Sequence, residues 1–232
     1  MSQMRDMGHP SVATRLTLLR WQANPRWMRT PSLQEQFGSI DIYLFDQLLK
    51  GNISPGMKVL DAGCGFGRNL VYFLREGYEV FGADLSAECV ESVREFARTH
   101  APGLPETNFR VEAVERMSFE DACADVVISN TVLHLAADDA QFGAMLQGSW
   151  RVLKPGGIFF CRLASTIGME DEFVPLGGRR YRSPDGGERY LVDAAMLYGL
   201  TERLGGRMVE ELKTTVVEKR RAMTTWVVKK NS

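Results

Sequence analysis

In the stretch Val59-Leu60-Asp61-Ala62-Gly63-Cys64-Gly65-Phe66-Gly67-Arg68-Asn69, a carboxylate stands two residues ahead of three glycines at alternate positions. Lys58-Val59-Leu60-Asp61 reads as a short buried strand, and Arg68 to Leu74 as the first turns of a helix. Glycines tolerate positive φ and carry no Cβ, so a ligand can lie against the backbone between the two. The helix start would offer it N–H groups and partial positive charge. Strand, glycine turn and helix together predict a nucleotide-type site at the carboxyl end of a parallel sheet. Asp84, ending the next predicted strand, Tyr78–Ala83, is placed to accept hydrogen bonds from both hydroxyls of a ribose, or else to cap a helix. At the end of a fourth strand, Asp125–Asn130, comes Asn130-Thr131-Val132-Leu133-His134-Leu135. Its histidine, with an ordinary pKa of about 6.5, would serve either as a general base or as a packing group.

Which nucleotide is meant follows from the spacing. The dinucleotide pattern G-x-G-x-x-G fails because Arg68 stands where the third glycine is required, which argues against NAD. The pattern present, D-x-G-x-G-x-G, resembles motif I of the class I S-adenosylmethionine-dependent methyltransferases. Val80-Phe81-Gly82-Ala83-Asp84-Leu85-Ser86 resembles the segment that follows it. Trp150-Arg151-Val152-Leu153-Lys154-Pro155-Gly156-Gly157-Ile158-Phe159-Phe160 resembles the family's helix, turn and fifth strand. There proline ends the helix and the glycines turn the chain back into the sheet.

The resemblance implies S-adenosylmethionine as cofactor. Asp61 would then steady the glycine loop and the methionine ammonium, Gly63, Cys64, Gly65 and Gly67 would give the backbone surface under the cofactor, Asp84 would hold the ribose, and Asn69, Leu85 and Ser86 would complete the cofactor site. Asn130 and Thr131 would lie near the sulfonium and methyl. Where the family typically has an acid beside the adenine, this chain has Ala113, so Glu115 or the backbone of Val114 alone would serve that edge, Glu115 being otherwise a plain surface acid. His134 is the candidate catalytic residue, and no metal is implied. The variant turn Gly67-Arg68-Asn69 is similar to that of small-molecule methyltransferases, including the tellurite-resistance type. That likeness suggests a small nucleophile as acceptor.

The elements that must position these residues predict an α/β fold. It is doubly wound and Rossmann-like, with a mostly parallel seven-stranded sheet closed by a C-terminal antiparallel hairpin, Arg207–Val217 with Ala222–Lys229. The chain divides into an N-terminal arm and helix, 1–50, and a methyltransferase domain, 51–232, in which 165–190 is a substrate-covering insertion. The arm, with Trp21 and Trp27, is either loosely packed or a lid. From Ser32 on, Leu33, Phe37, Ile40, Leu44 and Leu48 form one apolar helical stripe. Asp138 and Asp139 open the helix Asp139–Leu153 as cap and first-turn acids. Within the insertion, 177–190 reads as a hairpin around Asp185-Gly186. If it lies over the sheet edge, Arg179, Arg180, Arg182 and Arg189 favour an anionic acceptor; otherwise they form a solvated basic loop.

Composition sets the outer bounds. With 232 residues, 44% hydrophobic and 25% charged, the chain suits one sizeable core. A net charge of -1 provides no global field for nucleic acid or an anionic membrane. Neither a membrane-length apolar run nor a signal peptide is expected. Cys64, Cys89, Cys123 and Cys161 form no CxxC pair, so a cytoplasmic location is expected rather than a disulfide framework. The expected partner is a small molecule, with no nucleic acid and no membrane, and the expected assembly is a monomer or homodimer.

Overall fold

The structure is a computed structural model that describes residues 32–232; the N-terminal arm and its two tryptophans lie outside the described residues. The predicted first helix is two helices, α1 (Leu33–Phe37) and α2 (Ile42–Leu49). Gly38, at φ 62°, ends α1, and the side chain of Asp41 restarts the chain by accepting from the Tyr43 N–H at 2.9 Å. Ser32 and Glu35 make a reciprocal capping box on α1. The break turns Leu33 outward to 74% exposure, while Leu44 remains fully buried.

The sheet follows from short apolar runs. Its strands are β1 (Lys58–Ala62), β2 (Glu79–Asp84), β3 (Phe109–Val111), β4 (Ala124–Asn130) and β5 (Leu153–Ala164), with β9 (Gly206–Met208), β10 (Lys213–Val217) and β11 (Arg221–Lys230). The order is β10-β11-β5-β4-β1-β2-β3, with β9 pairing β11 beyond that path. β1 to β5 pair in parallel and β11 runs antiparallel to β5 and β10. The mostly parallel sheet and its antiparallel close are as expected, with β9 as an eighth strand beside the seven. The first hairpin strand is shorter than expected: β10 starts at Lys213, and Gly206–Met208 is a separate strand.

Alternate strand residues feed two cores. Leu60, Val127, Phe159 and Trp226 pack on one face, under α5 (Asp139–Val152) and α6 (Ala194–Arg203). Val59, Val126, Phe160 and Val227 pack on the other, under α2, α3 (Val71–Arg75) and α4 (Ala87–His100). Burial on both faces is why these strands read as continuous hydrophobic runs. Gly156, at φ 76°, and Gly157 lie within a register irregularity at the start of β5. A Cβ at Gly157 would come within 2.8 Å of the Asp125 carbonyl oxygen.

The insertion is a small antiparallel sheet, β6 (Val174–Gly177), β7 (Arg180–Arg182) and β8 (Glu188–Tyr190). β7 and β8 are the predicted hairpin around Asp185-Gly186. It docks on the carboxyl edge of the main sheet: the Arg180 guanidinium donates to the Ala136 carbonyl, and the Tyr190 hydroxyl donates to Asp139 at 2.8 Å. Tyr190 also stacks on Phe142, with ring centroids 4.6 Å apart. Asp138 accepts from the Gln141 N–H and so caps α5. The four cysteines are free, and no helix among the described residues is long and apolar enough to cross a membrane.

Candidate active site

The chain runs outward from β1 through β2 to β3, then returns to β4 and continues to β5, so the strand order reverses between β1 and β4. Ligands of open α/β sheets bind at that crevice. Here β1 delivers Asp61 and Gly63, and β4 delivers Asn130 and Thr131.

Gly63 has φ 89°, and a Cβ there would meet Val132 Cγ2 at 2.3 Å. The Gly63 and Cys64 N–H groups both donate to the Ala83 carbonyl, at 2.8 and 3.0 Å. Gly65 N–H donates to Asp84 Oδ2 and Gly67 N–H to the Cys64 carbonyl, each at 2.9 Å. These four amides are therefore engaged inside the turn. Helix α3 starts at Val71, three residues later than the expected Arg68 and only five residues long, because residues 68–70 form turns. At these glycines the turn offers a ligand bare Cα surface rather than free N–H groups.

Asp61 is 1% exposed, and neither of its carboxylate oxygens has a hydrogen-bond partner among the described residues. Burial pushes its pKa up to about 8; Arg68 opposes the shift and Asp84 adds to it. Both polar side-chain atoms of Asn130 are also buried and unpartnered. Such orphans are rare and need an explanation; a ligand carrying a cation supplies one. Thr131 adopts φ 65°, a left-handed conformation costly for a β-branched residue, and its N–H donates to the Arg162 carbonyl at 2.8 Å.

On one side of this point a cavity of about 230 Å³ is lined by Gly63, Asp84, Leu85, Val114 and Glu115. Leu85, 75% exposed, is an apolar wall with nothing packed over it among the described residues. Glu112, Val132, Leu135, Gln141 and Met145 complete the lining and escaped the sequence reading. The position of Val132, directly after Thr131, was the one available signal among them. Two expected side chains are engaged elsewhere: Asn69 Oδ1 accepts from the Asp41 N–H at 3.0 Å, and Ser86 caps α4 through the Cys89 N–H. The Cys64 side chain packs 3.3 Å from a Cβ position at Gly82, leaving its backbone to the turn.

On the other side lies a pocket of about 270 Å³ that includes Thr131, His134, Arg68, Arg162, Arg189 and Arg221. His134 is buried, and its Nδ1 accepts from the Ala164 N–H at 3.1 Å. Burial and the Arg189 charge push its pKa down to about 4, so the ring is neutral and carries its proton on Nε2. Of the four hairpin arginines, only Arg189 lines the pocket. Arg179 pairs with Asp193 and Arg182 with Glu188, while Arg180 reaches Ala136.

A sheet of this order, with orphaned carboxylate and amide groups beside a glycine turn at its switch point, is a Rossmann-like fold with a candidate ligand crevice at that turn. The chain is similar to the S-adenosylmethionine-dependent methyltransferases: residues 60–161, under half of its length, match the family model described as a methyltransferase domain. An uncharacterized methyltransferase of Synechocystis sp. is 35% identical over 46% of this chain and 47% of its own length. The tRNA 5-carboxymethoxyuridine methyltransferase of Escherichia coli is 26% identical over 66% of this chain and 60% of its own. The chain thus spans about half the length of such curated relatives. A crystal structure of the Burkholderia thailandensis 1,6-didemethyltoxoflavin-N1-methyltransferase, with that compound and S-adenosylhomocysteine bound, shares the fold with a TM-score of 0.63. It is 18% identical, with 98% of this chain and 94% of that one aligned.

The residues present fit S-adenosylmethionine. The orphaned Asp61 carboxylate suits an α-ammonium group, the glycine turn leaves room where a side chain at Gly63 would intrude, and Leu85 and Met145 offer apolar surface for a base.

Proposed function

We propose that the chain transfers the methyl group of S-adenosylmethionine to a small-molecule nucleophile by in-line displacement. The observation that carries this reading is the buried, unpartnered carboxylate of Asp61 at the β1–β4 crevice. In this account Asp61 holds the methionine ammonium and Gly63, Cys64, Gly65 and Gly67 form the backbone bed. Asp84 takes the ribose with the lone pairs left after its bonds to the Gly65 and Ser86 N–H groups. Val114 and Glu115 border the base, and Asn130 and Thr131 border the reacting end.

When bound, the cofactor supplies a methyl group already activated by positive sulfur. The protein's share is therefore placement, holding reacting atoms about 3–3.5 Å apart and in line. Thr131, fixed in its strained conformation, marks the wall between the two cavities. His134 works here as a hydrogen-bond donor through Nε2–H, because its acceptor nitrogen is already used by the Ala164 N–H. The base role considered from sequence would need that nitrogen free. The 165–190 insertion, docked beside His134, closes the acceptor side, and the pocket of about 270 Å³ suits a small molecule. Free cysteines accord with a reducing cytoplasm.

A second reading, methylation of RNA, is favoured by the name of the Escherichia coli relative. Labelled S-adenosylmethionine incubated with the protein and separate metabolite, RNA and protein fractions decides between them. Label in the metabolite fraction is expected; label confined to RNA or protein contradicts the small-molecule acceptor.

A further inference from the structure

Resting on the methyltransferase reading, we propose that the acceptor carries a carboxylate or phosphate group, gripped by Arg189 and Arg221 in the pocket beside Thr131 and His134. Four guanidinium groups border that pocket. Two are claimed from behind: Arg162 donates to Asp41 Oδ2 at 2.8 Å, and Arg68 lies 3.8 Å from the same oxygen. The Arg162 plane also rests over the Tyr43 ring, 5.1 Å from its centroid, and the Tyr43 hydroxyl bonds Thr215 at 2.7 Å. That side of the pocket is a fixed wall, and the buried Nε of Arg162 has no partner.

The front is different. Arg189 pairs with Asp185, 2.9 Å away in its own hairpin. Arg221, at the start of β11, makes no direct ion pair among the described residues, although its charge also acts on Asp185. Among the described residues, Asp41 and Asp185 are the carboxylates ion-paired with these cations, and Asp61, whose burial favours its neutral form, is the further one that feels Arg68, so positive charge is in excess.

The hydrogen-bonding groups point the same way. Guanidinium groups only donate, and His134 has spent its acceptor on Ala164, leaving Nε2–H. The Thr131 hydroxyl donates its hydrogen to the Asn130 carbonyl and keeps its lone pairs, and Thr215 pairs with the Tyr43 hydroxyl, so the charged groups of the pocket are donors while its hydroxyls are not. A pocket furnished with donors and excess positive charge is matched by a group that only accepts, and planar guanidinium groups fit carboxylate and phosphate oxygens in pairs. The positive field reaches His134 itself, where Arg189 disfavours protonation.

The test uses the full chain saturated with S-adenosylhomocysteine and titrated calorimetrically with inorganic phosphate and, separately, with malonate, at low ionic strength. Binding of at least one anion is expected, weakened about tenfold by Arg221→Gln and by Arg189→Gln, as loss of a charge-assisted hydrogen bond predicts. S-adenosylhomocysteine affinity should stay unchanged in both variants. The stronger of the two anions identifies the acceptor's group. If the loaded protein binds neither anion, or both variants bind them as the parent does, the proposal is overturned while the methyltransferase reading stands. If S-adenosylhomocysteine itself does not bind, that reading fails and the proposal falls with it.

Discussion

The backbone N–H of Gly65 donates to Asp84 Oδ2 at 2.9 Å, tying the turn after β1 to the end of β2. The other oxygen of Asp84 accepts from the Ser86 N–H at 2.9 Å. The carboxylate is therefore oriented before any ligand arrives, and it holds in place the glycine turn that a ligand must rest upon.

Asp84→Ala should lower S-adenosylhomocysteine affinity by tenfold or more, measured calorimetrically. It should also cost about 1–2 kcal/mol of stability, because two backbone donors lose their acceptor. Asp84→Asn keeps an acceptor oxygen and should recover part of the stability but little of the affinity. Unchanged binding in the alanine variant would remove the ribose role.

Gly63→Ala meets two obstacles, the left-handed φ of 89° and Val132 Cγ2 at 2.3 Å. The conformation alone costs about 1–2 kcal/mol for a residue with a Cβ. The clash should bring the total to about 2–4 kcal/mol in urea unfolding. Val132→Ala added to it should restore part of the loss, since it relieves the clash and not the dihedral. Strict additivity of the two variants would contradict the contact.

Asp61 makes unliganded stability fall with pH. Its pKa is about 8 in the fold against an ordinary 3.8, so between those values the native state binds more protons than the unfolded chain. The stabilising contribution is whole below pH 3.8 and is lost as pH rises through about 8. The slope approaches about 1.4 kcal/mol per pH unit. It is read most cleanly above pH 6.5, where His134 no longer contributes. Asp61→Asn should flatten it. A cationic ligand group needs the ionised form, so binding near neutral pH should release protons, seen as buffer-dependent heats.

His134 has the opposite sign. Its pKa, about 4 in the fold against 6.5, makes its contribution complete above pH 6.5 and lost as pH falls through about 4. In the Asp61→Asn background, stability should therefore rise from pH 4 to 6.5. His134→Ala should bind S-adenosylhomocysteine within about twofold of the parent yet lose about 1–3 kcal/mol, because the buried Ala164 N–H is orphaned. A pH–rate profile with a limb near 6.5 that disappears in this variant would reinstate the base.

Much of this was legible in the sequence because it is local. The glycine turn, the acid before it and the apolar runs of β1, β4 and β5 announce themselves by residue type and spacing. The short helix α3 and the break at Gly38–Asp41 did not, because the apolar stripe from Leu33 to Leu48 runs past both a left-handed glycine and a new cap. The hairpin around Asp185-Gly186 was readable, but not which of its arginines faces inward. That depends on how β7 and β8 sit against Ala136 and Asp139, a tertiary contact. Arg162 and Arg221 come from strands β5 and β11, and their meeting with Arg68 is set by strand order alone.

The central claim is that the β1–β4 crevice is an S-adenosylmethionine site built on Asp61 and Asp84. Calorimetric titration of the protein with S-adenosylhomocysteine, with NAD in parallel, tests it most directly. Micromolar binding of the first, none of the second, and loss of the first in Asp61→Asn is the predicted result. No binding of S-adenosylhomocysteine, or equal binding of NAD, would contradict it.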